Sequence, residues 1–571
     1  MNELPGLYLL IGAPPPSGDF RSIGGAAVRA VPGALVSACE SEGTWLGVDG
    51  ILTRIDRRDG ETDADAAMRL YRNGGIEALR GISGYYTILL VDKTDGTVRI
   101  IPDFMATRRY YLYAHGGKAC AGPDAAIPRR LGLSVTLDRQ ILYQMFRINH
   151  PIGGKCLAGE IERTRPFTLY RITPDGNIER QAPSRIEQNP DPGITLDEAA
   201  DRMHEAASAA VAAILEHPLA RSRELELPLT GGYDSRHLLG ELRDCGRLPD
   251  RIRHIRVSES DYRPVEIICR GLGLDLHAPK YGELDHKALI RRWLLQTAGQ
   301  VHLHQLYLFG LGDPAGVRPV LGLTAVLSGL LFSYIPLGTP IHRRHYTRTG
   351  LGLLFKDRAR LAGEFAERID AEFDRFEGEE LFRGIAADAV NRTPRYAGAA
   401  FTELGEQAVY IAPAAERGAW EWFRTMPASL VARQKARIRL FERIYPDLGR
   451  FPKPNGSPLI RIPPESASPI VSRPMDAADP GARVRGRIPP TPHAWIRAHP
   501  ILHGAVARVV SDSKLCADGH IPRAAARALW RAHRLGAYNG WALMSLVSTE
   551  AAYRILILGE DPGAVADWLT S

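Results

Sequence analysis

The residues best equipped for chemistry lie in one short stretch, Leu229-Thr230-Gly231-Gly232-Tyr233-Asp234-Ser235. Leu225 to Leu229 reads as a strand, and a helical pattern begins near Ser235. Two consecutive glycines let a backbone approach a ligand closely, and the amides that open a helix are donors to an anion. The hydroxyls of Thr230 and Ser235 add donors for phosphate oxygens. Asp234 has the wrong charge for a phosphate unless Mg2+ stands between them, which makes it the expected metal ligand. A plain strand-to-helix turn would account for two glycines, but not for Thr, Asp and Ser at these spacings. The Walker pattern GxxxxGK is absent, so the loop is a phosphate cradle of another kind.

This stretch resembles the pyrophosphate loop SGGxDS of the AMP-forming ATP pyrophosphatases, with Thr230 in the first Ser position. The flanks narrow the resemblance. Leu79 to Tyr86, Asp92, Pro102-Asp103 and Arg108 to Tyr111 are similar to the glutaminase-like domain of asparagine synthetase. Ser258 to Tyr262, Gly271 to His277 and Ile444 to Pro452 follow in that family's order. The resemblance covers most of the chain. It implies an α+β Ntn-hydrolase-like sandwich followed by an α/β ATP-pyrophosphatase (adenine nucleotide α-hydrolase-like) domain with a helical C-terminal part. It also implies ATP and Mg2+, a nucleotide site at Leu229, Thr230, Gly231, Gly232, Asp234, Ser235, Val257 and Ser258, and Asp234 as Mg2+ ligand. The family's KxDR segment falls on Arg392-Thr393-Pro394-Arg395, so Arg392 and Arg395 are the implied cationic clamps on the phosphates.

The departures from the pattern say more about the reaction. Glutaminase domains of this class use Cys at position 2 as the nucleophile, whereas Asn2 stands here and Cys39 is the first cysteine. Ammonia from glutamine is therefore not expected, and the first domain is expected to be structural. The same lack marks relatives that join an amine already on the substrate, namely the β-lactam synthetases and the lasso-peptide macrolactam cyclases. The family's second acidic cluster falls on Val320 to Gly329, which holds no acid; Asp313 is the nearest substitute. Arginine replaces lysine at Arg392 and cannot serve as a proton-transfer base. The acidic PFLD motif is replaced by Ala412 to Glu416. The expected function is an ATP-dependent, AMP-forming amide ligase that adenylates a carboxylate and couples it to an amine. Its substrate would be a small molecule or a peptide closed into a macrolactam, with a leader-peptide-binding protein or protease as possible partner. Three alternatives stand beside it: an asparagine synthetase using free ammonia, a catalytically silent relative that binds a partner, and a tRNA-modifying enzyme.

These residues need elements to position them. Residues 1–188 read as short strands, among them Gly6 to Ile11, Thr44 to Asp49, Tyr85 to Val91 and Thr97 to Ile101, with helices near 62–80 and 137–148. Gln188 to Ile194, rich in Pro, Gly and Asx, reads as a linker. Thr195 caps a helix over Leu196 to Leu215 with Asp197 and Glu198 in its first turn. The series strand 225–229, helix 235–245, strand 252–257, helix 263–272 predicts a parallel sheet with helices on its faces. Beyond it, helical periodicity covers 354–376, 402–425, 428–446 and 521–555, giving a second domain over 195–571.

The chain has 571 residues, 45% hydrophobic and 24% charged, which sets it among globular chains of two or three domains. Six dispersed cysteines without a CxxC fit a reducing compartment. No basic signal segment is seen, and the apolar run Leu321 to Leu337 is too broken to span a bilayer, so the expected location is the cytoplasm, with no membrane partner. The net charge of +7 comes from 9 lysines and 63 arginines set against 65 acids. The arginines are scattered, with local runs at Arg343-Arg344 with Arg348 and at Arg483 to Arg487, so no nucleic-acid face is expected. The pairs His302/His304 and His342/His345 lack the further ligands that zinc requires. Trp420, Trp422 and Phe423 are expected to pack a helix. Tyr334 and Tyr346 are acid/base candidates. No nucleophile elbow for Ser-His-Asp hydrolysis occurs.

Overall fold

The computed structural model describes residues 4–12, 20–33, 35–256, 259–310, 320–323, 354–395, 408–453, 492–537 and 539–571. In the first part of the chain two six-stranded antiparallel sheets lie face to face. Strand Gly6–Ile11 shows why its run of apolar residues is continuous. Leu7, Leu9 and Ile11 point between the sheets, where Trp45, Leu89, Val91, Ile100 and Tyr170 meet them. Tyr8 and Leu10 point the other way, into a core shared with Ile141, Leu142 and Phe146 of helix Arg139–Arg147. The second sheet is buried on both sides as well. Leu46, Val48, Ile88 and Leu90 pack with Ala64, Ala67, Met68 and Leu79 of helix Asp63–Arg80. The result is four layers, helix, sheet, sheet, helix. Strands Thr44–Thr53 and Ser83–Asp92 pair over their whole length, Thr44 opposite Asp92 and Thr53 opposite Ser83.

Thr195 caps helix Leu196–Glu216 in a reciprocal capping box with Glu198. A five-stranded, wholly parallel sheet follows, made of Glu224–Pro228, Arg251–Arg253, Leu276–His277, Val320–Leu323 and Ala408–Ile411. Strand Glu224–Pro228 is central. Arg251–Arg253 and then Leu276–His277 extend the sheet on one side, and Val320–Leu323 and then Ala408–Ile411 on the other. The chain therefore reverses its direction of growth between Glu224–Pro228 and Val320–Leu323. In open parallel sheets the crevice outside such a reversal is where ligands bind.

Four sequence expectations need correction. Ala408–Ile411, expected in a helix over 402–425, is the sheet's edge strand; its Ala-Val-Tyr-Ile run pairs with Val320–Leu323, and tertiary pairing overrides helical period. The expected strand 252–257 is regular only over Arg251–Arg253, with one further bridge from Arg256 to Lys280. The helix expected over 428–446 is broken at Gln434, whose backbone is left-handed, φ 63°. The pattern over 521–555 forms two helices, Arg523–Arg534 and Gly540–Ala552, separated at Gly536 with φ 106°.

The segment expected to be a linker is tied down. Gln188, Asn189 and Asp191 donate their amides to the carbonyls of Glu377, Arg424 and Thr425 at 2.8, 2.8 and 2.9 Å. Trp420, Trp422 and Phe423 are buried packing residues, as expected. The segment that stands in place of PFLD lies where the two parts meet. Glu416 accepts from Thr53 at 3.3 Å and Arg54 at 3.1 Å, and the carbonyl of Pro413 accepts from Tyr85 at 3.2 Å. Gly540–Leu558 is the one described helix long and apolar enough to cross a membrane, and 83% of it is buried inside the protein. All six cysteines are free thiols.

Candidate functional site

The loop stands at the reversal point, at the C-terminal end of the central strand. Leu229 is held twice by the neighbouring Arg251–Arg253 strand and the residue after it: its amide donates to the carbonyl of Arg253, and its own carbonyl accepts from His254 Nδ1, both at 3.0 Å. The loop then closes on Ser235, which is 2% exposed. Ser235 Oγ accepts from the Thr230 amide at 2.9 Å, donates to the Thr230 carbonyl at 3.2 Å and lies 3.1 Å from Thr230 Oγ1. Gly232 precedes helix Tyr233–Asp244 with φ −84°, and no side chain caps that helix. Glycine is thus present for what it lacks, a side chain over the first-turn amides, and not for an unusual backbone.

Sequence reasoning missed the two arginines that organise this loop. Arg236 is wholly buried, and carbonyl oxygens surround its guanidinium. It donates to Gly231 at 2.8 Å, Leu448 at 3.1 Å, Phe451 at 2.7 Å and Pro452 at 2.9 Å. Burial pulls its pKa down to about 9, so it stays charged at neutral pH. Arg437, from helix Lys435–Arg443, is also wholly buried and is ion-paired to the carboxylate of Asp234, whose side chain is 39% exposed. Burial lowers the Arg437 pKa, against the opposing effect of Asp234. Leaving a buried charge of this kind without its partner costs roughly 3–5 kcal/mol.

Ile444 to Pro452 is the segment that Arg236 grips, and two glycines receive its rings. A side chain at Gly240 would meet the Tyr445 ring at 2.8 Å, and one at Gly271 would meet the Phe451 ring at 2.8 Å. The helix after the loop and the helix after the second strand are therefore both clasped to one segment. Behind the loop helix lies a polar chain: His237 Nε2 to Glu241 at 2.7 Å, Glu241 to His204 Nδ1 at 3.1 Å, and His204 Nδ1 to the Tyr445 hydroxyl at 3.1 Å. Burial alone would raise the Glu241 pKa, but the bonds from His204 and His237 outweigh it and hold the carboxyl below its ordinary range. Beside the loop, Lys453 Nζ lies 5.9 Å from the centre of the Tyr233 ring. At the end of the second strand, Arg256 stacks 3.8 Å over Tyr262.

The structure thus brings together Leu229, Thr230, Gly231, Gly232, Asp234 and Ser235. Arg392 lies on helix Glu380–Arg395, paired with Asp388 one turn back at 3.5 Å. It is close enough to His304 to help burial keep that imidazole neutral. The side chain of Arg395, together with Val257, Ser258, Asp313, residues 324–329, Tyr334, His342, His345 and Tyr346, lies outside the described residues. His302 is buried, bonded to Ser545 at 3.0 Å.

The site fits a polyphosphate: uncapped amides, the exposed Thr230 hydroxyl and an open glycine lie at the reversal of a parallel sheet, while the Ser235 hydroxyl, expected as a second phosphate donor, is spent inside the loop on the Thr230 backbone. It does not fit the expected Mg2+. Asp234 is already neutralised by Arg437, the described strand Val320–Leu323 carries no acid, and no three His, Cys, Asp or Glu among the described residues come together as a metal cage. Asp234, expected as a metal ligand, stands here as the counter-charge of a buried guanidinium.

The sequence matches no family model and no curated protein. Among solved structures, it is similar to glutamine phosphoribosylpyrophosphate amidotransferase from B. subtilis complexed with ADP and GMP, at 12% identity over 67% of this chain and 87% of that one, TM-score 0.21. A structure described as the allosteric regulatory enzyme of purine biosynthesis is 11% identical over 67% of this chain and 86% of that one, TM-score 0.21. Neither likeness defines the fold.

Proposed function

We propose that the chain is an ATP-dependent, AMP-forming amide ligase, built as an Ntn-like sandwich over 1–188 and an ATP-pyrophosphatase-type domain over 195–571. The carrying observation is the Thr-Gly-Gly-x-Asp-Ser turn at the reversal of a parallel sheet, locked by Ser235 and gripped from beneath by Arg236. In this reading the β- and γ-phosphates of ATP lie on the loop amides and the hydroxyl of Thr230, with Lys453 beside them. A substrate carboxylate oxygen attacks the α-phosphorus, and the bond to the bridging oxygen breaks with pyrophosphate as leaving group. An amine then attacks the acyl-adenylate carbon, losing a proton, and AMP departs. The chain contributes positioning and stabilisation of phosphate charge, both large sources of rate. The four-layer sandwich is a docking body, since the Glu416 and Pro413 contacts join it to the second part. Candidate acceptors are peptides or small molecules carrying both an amine and a carboxylate. The test is ATP–pyrophosphate exchange with candidate carboxylates. Exchange that Ser235→Ala abolishes supports the ligase.

One observation favours a second reading, a polyphosphate-binding protein without turnover. Asp234, the carboxylate of the loop, is already ion-paired with the buried Arg437. Nucleotide binding without exchange for any carboxylate would select it.

A further inference from the structure

We propose that this loop binds polyphosphate without a divalent cation, because the buried guanidinium of Arg437 does the charge compensation at Asp234 that Mg2+ would otherwise do. The inference rests on the phosphate-loop reading and specifies how that site handles charge. A polyphosphate brought onto the loop meets the carboxylate of Asp234 in the first turn of the helix. Left alone, that carboxylate would repel the ligand, and a divalent cation between them would be the ordinary remedy.

Here the remedy is part of the chain. Arg437 Nη1 is paired with Asp234 Oδ1, and the guanidinium is fully buried while the carboxylate is partly open to solvent. Arg437 lies beneath Asp234 and cancels its charge from the protein side. Guanidinium does not lose its proton at neutral pH, so the cancellation is permanent. If Mg2+ took Asp234 as a ligand, two positive groups would compete for one carboxylate, and the buried one has no water to turn to. Among the described residues, the neighbouring strand Val320–Leu323 is Val-Leu-Gly-Leu, with Val320, Leu321 and Leu323 all buried, and offers no acid. On the open side, the amides of the uncapped helix meet the anion, and Lys453 lies nearby, 5.9 Å from the Tyr233 ring.

The experiment is titration calorimetry of the full chain with inorganic pyrophosphate and with ATP, each in excess Mg2+ and in EDTA. The expected result is binding in EDTA within about threefold of that in Mg2+. Binding seen only with Mg2+ overturns the inference and leaves the phosphate-loop reading standing. No binding in either condition overturns the phosphate-loop reading itself. Two variants separate the roles of the pair, each first checked for a wild-type far-ultraviolet circular dichroism spectrum. Arg437→Met is expected to weaken pyrophosphate binding in EDTA by about tenfold or more and to make it respond to Mg2+. Should Arg437→Met not fold, Asp234→Asn decides. A metal ligand would lose affinity on that change, whereas here affinity in EDTA is expected to hold or rise. A loss overturns the inference.

Discussion

The guanidinium of Arg236 donates to the carbonyl of Gly231 at 2.8 Å from within the protein core. This bond joins the loop to the helix that the loop begins, and the same guanidinium continues to Leu448, Phe451 and Pro452. The shape of the loop therefore depends on a segment more than 200 residues away in sequence.

Replacing Arg236 by Met leaves those carbonyls without their donor in a dry site. Lost bonds of this kind cost about 1 kcal/mol or more each, so unfolding by urea should show a loss of roughly 2–4 kcal/mol. Pyrophosphate binding should fall with it. Unchanged stability would show that water reaches the carbonyls and that Arg236 does not set the loop.

Gly240→Ala tests the seating of the Ile444 to Pro452 segment. The added methyl would stand 2.8 Å from the Tyr445 ring. Overpacking of this kind costs roughly 1–3 kcal/mol, although alanine is otherwise the better helix former. A lowered Tm with weaker pyrophosphate binding is expected, and a raised Tm would show that the ring moves aside freely.

Across the parallel sheet, the hydroxyl of Tyr410 bonds to the carboxylate of Glu226, which is 1% exposed. The two residues are two strands apart, and the position between them in register is Gly322. A gap of about 10 Å separates such strands, and only a residue without a side chain leaves that lane open. Tyr410→Phe removes the hydroxyl from a buried carboxylate and should destabilise by roughly 1–3 kcal/mol. Urea denaturation of the two forms at pH 7 measures the loss, and equal stability would show that the bond contributes nothing.

Three buried imidazoles give the protein an acid limit. Burial pushes His286 down to about 4, His302 to about 3 and His533 to about 4. The unfolded chain protonates them near 6.5. As the pH falls below that value the unfolded state takes up protons that the folded state refuses, so stability declines. The slope reaches at most roughly 1.4 kcal/mol per pH unit for each histidine, and it levels once the folded pKa values are passed. Tm should be nearly flat from pH 8 to 7 as far as these groups decide it, and should fall from 6.5 to 5. A Tm that rises on acidification would contradict the burial of these rings.

The loop and its flanking strand and helix were legible in the sequence because their determinants are local. Two glycines, a hydroxyl at each end and an apolar strand before them act within a dozen residues. The capping box at Thr195 and Glu198 was legible for the same reason. Gly6 to Ile11 was legible as a strand from its short run of apolar residues, which is unbroken because the strand is buried on both faces. Ala408–Ile411 was misread because a four-residue edge strand is defined by its partner, Val320–Leu323, and not by its own period.

Arg437 and Arg236 were invisible among 63 arginines. Nothing in residue type or spacing distinguishes a guanidinium on the surface from one that folding carries beneath a loop. Sequence alone determined that a Thr-Gly-Gly-x-Asp-Ser turn joins the end of a strand to a helix. Only the tertiary structure decided that a buried cation already neutralises its acid, because charge compensation depends on distance in space, and Asp234 and Arg437 are 203 residues apart in the chain.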